Sequence, residues 1–302
     1  MNRRQTLKWL GLAAAGSVAA GLPACAHVSR RLIFFFTATG NSLHVARQLA
    51  TGEAPLSIPQ CLKVKRLAFE ADEIGIVYPV FGNMPPKIVQ EFLANARLKA
   101  DYLFCVPTFG SRPGVSVEEW DAFARSCGYA FDYIRPVRMA DNWLHGFDME
   151  QERRVDKHVP EQLAAIRLDL ASRRRWREPT APDARKRHAR FMDACLGDRS
   201  PLDLFVMAAE ERFVTDARCV GCGECLRVCP RGCWKLTETG ARCAGVCDYC
   251  LACIHACPQK AIGFALPPEN LRWLTPEKNP DARYRHPDVS LEDIQAANDQ
   301  TV

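Results

Sequence analysis

Two copies of one cysteine spacing constrain this chain more than anything else in its 302 residues. Cys219-x2-Cys222-x2-Cys225-x3-Cys229-Pro230 recurs as Cys247-x2-Cys250-x2-Cys253-x3-Cys257-Pro258. Three thiols at that spacing let one tight loop reach three corners of an inorganic cube, so the fourth corner must be supplied from elsewhere. A zinc ribbon uses two pairs of ligands rather than four-cysteine runs ending in Cys-Pro. Disulfides give the duplicated spacing no geometric reason. Pro230 and Pro258 turn the chain away after the fourth cysteine, and Gly221 and Gly223 leave the backbone room beside the inorganic core. The total of 15 cysteines is too few for a disulfide-stapled miniprotein of this length and too many for chance, which points to metal.

Such a doubled run is the ligand pattern of a bacterial two-cluster ferredoxin, in which the fourth cysteine of each run ligates the other cluster. Cys219, Cys222, Cys225 and Cys257 are therefore assigned to one [4Fe–4S] cluster, and Cys247, Cys250, Cys253 and Cys229 to the other. The crossing ties residues 213–268 into one small α+β unit with its clusters close together. Of the remaining cysteines (25, 61, 105, 127, 195, 233 and 243), Cys105 and Cys127 read as small core residues. Cys233 and Cys243, between the runs, read as packing or an incidental disulfide in preference to a redox or ligand role.

Upstream the pattern is β–α alternation. Leu32–Phe36, Ile74–Val80 and Tyr102–Pro107 are apolar runs of the kind buried on both faces of a parallel sheet, and Phe131–Met139 supplies another strand. Helical spacing links Leu43, Ala46, Leu49 and Ala50, and again Ile88, Val89, Phe92, Leu93 and Ala96 after Pro85-Pro86. Ser116 with Glu119 makes a capping box for a third helix. The expectation is a doubly wound α/β domain over residues 30–150. A basic helical connector over 151–212 follows, with one helix at 159–177, and an arm at 269–302 closes the chain.

Phe36-Thr37-Ala38-Thr39-Gly40-Asn41-Ser42 joins the first strand to the first helix. Hydroxyls at 37, 39 and 42 around a glycine can wrap backbone amides about an anion at a helix N-terminus. The segment lacks the Gly-Lys-Ser/Thr ending of a nucleotide triphosphatase and the G-x-G-x-x-G of a dinucleotide site. Two more strand-end loops, Pro79-Val80-Phe81-Gly82-Asn83 and Thr108-Phe109-Gly110-Ser111, pair an aromatic with glycine, which suits a flat ring against backbone amides. Residues 31–150 resemble a flavodoxin-type domain, and Met139-Ala140-Asp141-Asn142-Trp143 resembles a further segment of the same family. With the cysteine unit, the chain is similar to the flavodoxin–ferredoxin fusion proteins of anaerobic and facultative bacteria. That resemblance implies FMN, with Thr37, Thr39, Gly40, Asn41 and Ser42 on its phosphate. Phe81 and Phe109 would flank its ring, with Gly82, Thr108 and Gly110 at the polar edge.

The first 26 residues read as an export segment: Arg3-Arg4-Gln5-Thr6-Leu7-Lys8 resembles a twin-arginine signal and precedes a short apolar run, Leu10–Leu22. Ala24-Cys25-Ala26 offers a cleavage site before His27, while Leu22-Pro23-Ala24-Cys25 offers a lipid anchor at Cys25. No stretch reaches the roughly 18 apolar residues of a membrane span. Residues 151–190 hold 12 Lys/Arg against 6 Asp/Glu, more than the net charge of +5, but lack the interleaved aromatics of a nucleic-acid reader. This stretch reads as a solvated face or as a dock for an acidic or membrane-associated redox partner. The expected function is exported electron transfer between the two clusters and FMN, in the periplasm or envelope. Two alternatives stand beside it: a flavin-free ferredoxin using the α/β domain as a docking platform, and an FMN-dependent reductase of a small acceptor.

Overall fold

The computed structural model describes residues 29–196, 207–208, 212–265 and 276–301. The expected export segment with Cys25 lies outside them, as does the Cys195 side chain. No helix among the described residues is long and apolar enough to cross a membrane.

Chain order in the first half is β1 (Arg31–Phe35), α1 (Asn41–Leu49), β2 (Leu56–Ser57), α2 (Ile58–Lys63), β3 (Ala68–Glu70), β4 (Glu73–Pro79) and α3 (Lys87–Asn95). It continues through β5 (Arg97–Lys99), β6 (Tyr102–Phe109), α4 (Ser116–Ser126), β7 (Tyr133–Ile134), β8 (Val137–Arg138), α5 (Met149–Arg154), α6 (Val159–Ala171) and β9 (Trp176–Arg177). The main sheet runs β2-β1-β4-β6-β7-β9, with β8 also on β6, and every pairing is parallel. With the side pair β3–β5 set apart, the spatial order is the 2-1-3-4-5 of a flavodoxin-like doubly wound fold.

Because side chains alternate along a strand, each one feeds two cores. Ile33, Phe35, Val77, Phe104 and Val106 face α1 and α6, meeting Leu43, Ala46, Leu49, Leu163, Ile166 and Leu170. Leu32, Phe34, Ile74, Ile76 and Cys105 face α2, α3 and α4, meeting Ile58, Phe92, Leu93, Trp120 and Ala124. A doubly wound sheet is thereby closed on both faces.

Three expectations need correction. The strand over 131–139 is two short pieces on β6, separated by Arg135-Pro136, since proline has no N–H to donate to the ladder. Ser116 does not cap α4; it is the first helical residue, buried, with its hydroxyl unpartnered, and Val115 stands at the N-cap. The helix expected over 159–177 ends at Ala171, and after Arg173 at φ 48° the chain turns back as β9 on the sheet edge. The α/β domain therefore runs past 150 to about residue 178, taking in the first part of the expected connector. Its arginines are ion-paired within the chain: Arg173 to Glu73 at 3.0 Å, Arg174 to Asp169 at 3.0 Å, Arg175 to Asp132 at 3.2 Å and Arg177 to Asp121 at 3.0 Å.

Helix α7 (Ala184–Leu196) and β10 (Met207–Ala208) lead into the cysteine unit: β11 (Phe213–Thr215), α8 (Glu224–Arg227), β12 (Trp234–Thr237), β13 (Gly240–Cys243), β14 (Val246–Cys247), α9 (Ala252–Ala256) and β15 (Ile262–Phe264). Here β11 pairs antiparallel with β15, so the unit's two ends close on each other, and β12–β13 is a hairpin inserted between the two cysteine runs. The described arm ends in α10 (Leu291–Asn298), whose capping box is complete: Ser290 Oγ accepts from the Asp293 amide and Asp293 accepts from the Ser290 amide.

Candidate functional site

The cysteines gather as the crossed pattern requires. Cys219, Cys222, Cys225 and Cys257 line one small cavity of about 20 Å³ together with Gly221 and Gly223. Burial, then the neighbouring Cys222, Cys257 and Cys219, pushes the Cys225 thiol up to about 12. Burial, followed by Cys247 and Cys229, likewise raises Cys250, and Cys253 rises under burial, Cys250, Cys247 and Cys229. Thiols crowded this way hold their protons until a cationic centre takes the thiolates. Backbone amides already point at the sulfurs: Cys233 N–H to Cys229 Sγ at 3.3 Å, Tyr249 N–H to Cys247 Sγ at 3.2 Å and Ala261 N–H to Cys257 Sγ at 3.3 Å. Such N–H···S bonds are among the terms that set a cluster's potential. Donor chemistry, crossing and amides all fit two clusters. Cys233 is buried with its thiol donating to the Val246 carbonyl at 3.2 Å, and the same thiol stands against Cys229, Cys243 and Cys247.

A cavity of about 640 Å³ opens at the carboxyl edge of the sheet, where doubly wound folds bind ligands. Phe81, Gly82, Thr108, Phe109, Gly110 and Asn41, all expected at the site, line it. The Phe81 loop is a tight turn with Phe81 and Met84 exchanging both backbone hydrogen bonds, and Gly82 (φ 55°) and Asn83 (φ 74°) take its two left-handed positions. Gly110 is explained differently from the expectation. A Cβ there would lie 2.2 Å from the Asp141 carboxyl carbon, so the glycine makes room for Asp141, which accepts from the Ser111 and Trp143 amides. Burial raises the Asp141 carboxyl above its ordinary range, and those two amides oppose the shift.

The phosphate half of the expected site is elsewhere. Thr37, Thr39, Gly40 and Ser42 do not line the cavity. Their hydroxyls are engaged within the protein: Thr37 Oγ1 accepts from the Gly40 amide at 3.0 Å, Thr39 Oγ1 from Asn142 Nδ2 at 2.6 Å, and Ser42 shares a 2.8 Å bond with Thr108. The C-terminal arm covers them, with the His286 amide donating to the Thr39 carbonyl at 2.8 Å and Asn298 Nδ2 to the Thr37 carbonyl at 2.9 Å. The loop as it stands does not fit a phosphate.

Sequence reasoning missed the far walls of the cavity. Ala184, Arg187, His188 and Phe191, at helical spacing, bring one face of α7 across it. Tyr249, Cys250 and Leu251 come from the second cysteine run, so one of the expected cluster ligands is part of the wall. Two histidines fix this junction. His255 Nδ1 accepts from the Tyr284 amide at 3.1 Å and its other nitrogen meets the Asn142 carbonyl at 3.0 Å, while His145 meets the Tyr249 hydroxyl at 2.9 Å. Among the described residues His44, His286 and Asp288 are also close enough to share an ion. The Asp288 amide donates to His286 Nδ1 at 3.2 Å, however, and the trio reads as a latch for the arm.

No protein-family model matches the chain. A curated Escherichia coli K12 protein named "Putative electron transport protein YsaA" is 31% identical over 77 residues, covering 23% of this chain and 49% of that protein. The chain thus spans about half the length of the curated relative it matches. Among solved structures it is similar to a "Putative flavoprotein from Bacteroides uniformis ATCC 8492", at 14% identity and TM-score 0.27 over 42% of this chain and 96% of that one. It is also similar to the "Flv1 flavodiiron core from Synechocystis sp. PCC6803", at 18% identity and TM-score 0.27 over 47% of this chain and 36% of that one. At that TM-score neither likeness bears on function.

Proposed function

We propose that the chain is an exported electron-transfer protein, in which two [4Fe–4S] clusters exchange electrons with a flavin ring in the cavity beside Phe81 and Phe109. One observation carries this reading: Cys250, which the cysteine pattern assigns to the second cluster, stands in the wall of the cavity that Phe81, Phe109 and Trp143 also line. The partial likeness to an electron transport protein supports it. FMN is the flavin that the flavodoxin resemblance implies. Clusters pass single electrons and a flavin passes one or two, so the pair suits a relay between one-electron and two-electron partners.

The chain's own residues would do the holding and shielding. Each set of four cysteines would bind a cluster under amide donors, and Tyr249 and Leu251 would keep water from the short gap between the second cluster and the ring. The α7 face would close the outer side. The redox partner, acidic or membrane-associated, remains part of the proposal, as does delivery to the periplasm by the Arg3-Arg4 segment or anchoring at Cys25. Since Arg173, Arg174, Arg175 and Arg177 are all ion-paired within the chain, a docking surface would have to use other groups.

The sealed phosphate loop favours a second reading, the flavin-free ferredoxin on an α/β platform. Anaerobic purification followed by iron, sulfide and flavin quantification separates the two. About eight irons with a flavin that binds one per chain supports the relay. Eight irons with no flavin bound, even after flavin is added, leaves only the ferredoxin reading, and an absence of iron overturns both.

A further inference from the structure

We propose that this chain binds its flavin by the ring alone, without reading a phosphate, because its own C-terminal arm is built into the place where the phosphate would sit. The inference rests on the flavin reading above and adds the ligand's class: an unphosphorylated flavin of the riboflavin type is held as well as FMN.

With no ligand counted, the exposures of Thr37, Thr39, Asn41 and Ser42 are 1%, 1%, 6% and 0%. A loop that leaves space for a phosphate would be open to water in such a structure, and this one is not. What fills the space is residues 284–298. A Cβ on Gly40 would lie 2.9 Å from Val289 Cβ and 3.0 Å from His286 Cβ, so the glycine is where the arm presses against the loop. The Tyr284 hydroxyl donates to Asn41 Oδ1 at 2.8 Å, and Asn41 Nδ2 donates to the Ala140 carbonyl at 3.0 Å, so both polar atoms of Asn41 are already held within the chain, one of them by the arm.

The arm is fastened again beyond this contact. Arg47 holds Asp293 through both guanidinium nitrogens, at 2.5 and 3.0 Å. Farther along, Ser57 Oγ donates to the Ala297 carbonyl at 2.5 Å, and Gln60 Nε2 and Lys63 Nζ to the Asp299 carbonyl at 2.9 and 3.0 Å. Val289, Ile294 and Ala297 belong to the same apolar core as α1 and α6. Moving the arm aside for a phosphate would break these bonds and uncover that core. The ring cavity needs no such movement, being open at about 640 Å³ with the arm in place.

The test uses the full chain, purified anaerobically with its clusters, stripped of bound flavin and equilibrated by dialysis against riboflavin or FMN. The expected dissociation constants differ by less than about threefold. Thr39→Val, which alters the loop and removes the acceptor that holds Asn142 Nδ2 at the cavity edge, is expected to shift both constants alike and leave their ratio unchanged. FMN binding tenfold or more tighter than riboflavin, or a selective loss of FMN in Thr39→Val, would overturn the inference while leaving the relay intact. Failure of both flavins to bind would instead overturn the flavin reading, and this inference with it.

Discussion

The crossing of the two cysteine runs is a statement about individual residues, and it can be tested one thiol at a time. Cys219 and Cys257 share one cavity although they stand 38 positions apart, the difference of their numbers. If they serve the same cluster, Cys219→Ser, Cys257→Ser and the double variant all lose the same four irons and keep about four. An uncrossed arrangement predicts loss of nearly all iron in the double variant, and iron analysis decides between them. The spacing made these eight residues legible because ligand reach is a local property of the sequence. The Ser116 expectation failed for the opposite reason, and the room that Gly110 makes for Asp141 could not be seen from the sequence. Whether a glycine frees an amide or makes room for Asp141, and whether a serine caps a helix or begins it, depends on neighbours brought in by the fold. Asp141 lies 31 positions from Gly110 and gives no local sign of the contact.

At the scale of elements, the buried strands announced themselves through continuous apolar runs, while β9 and the arm did not. Trp176–Arg177 is a two-residue edge strand that follows a helix without a proline or glycine break, so the helical pattern ran over it. The arm, polar and proline-containing, conceals its apolar seam in Val289, Ile294 and Ala297. Its hold on the phosphate loop carries a pH dependence. Burial, then the adjacent His44, pushes the His286 imidazole down to about 4, against an ordinary value near 6.5, with Asp288 opposing. Folding of the arm therefore favours the neutral ring. This stabilisation is complete above pH 6.5 and is lost as the pH falls toward 4, the loss reaching about 2 kcal/mol by pH 5. Asp293, held near 2 chiefly by its hydrogen bond from Arg47, keeps its charge throughout that window. Hydrogen exchange over residues 284–298 is expected to quicken between pH 7 and pH 5 after correction for intrinsic rates, and His286→Gln should flatten that dependence. Equal protection at both pH values in the unaltered chain would show that His286 is not what senses acid.

Across the whole molecule, the junction between the cysteine unit and the α/β domain decides whether the two behave as one body or two. Asp248, next to Cys247, accepts from the Ile88 amide at 3.1 Å and so caps α3, where Pro86 offers no side-chain acceptor. Its other oxygen takes Arg231 at 2.9 Å, and Arg231 reaches on to Glu91 at 2.5 Å. A carboxylate at a helix N-terminus is favoured by the helix dipole as well as by the bond. Whatever fixes Cys247 thus also fixes the start of a helix in the neighbouring domain. Stripping iron with a chelator is expected to raise exchange of the Ile88 amide tenfold or more, while β4 and β6, deep in the sheet, keep their protection. Asp248→Ala in the iron-loaded protein should reproduce the change at Ile88 and cost about 3 kcal/mol, since it strands a largely buried Arg231 with Glu91 alone. Exchange at Ile88 unmoved by both treatments would mean that the domains abut without coupling.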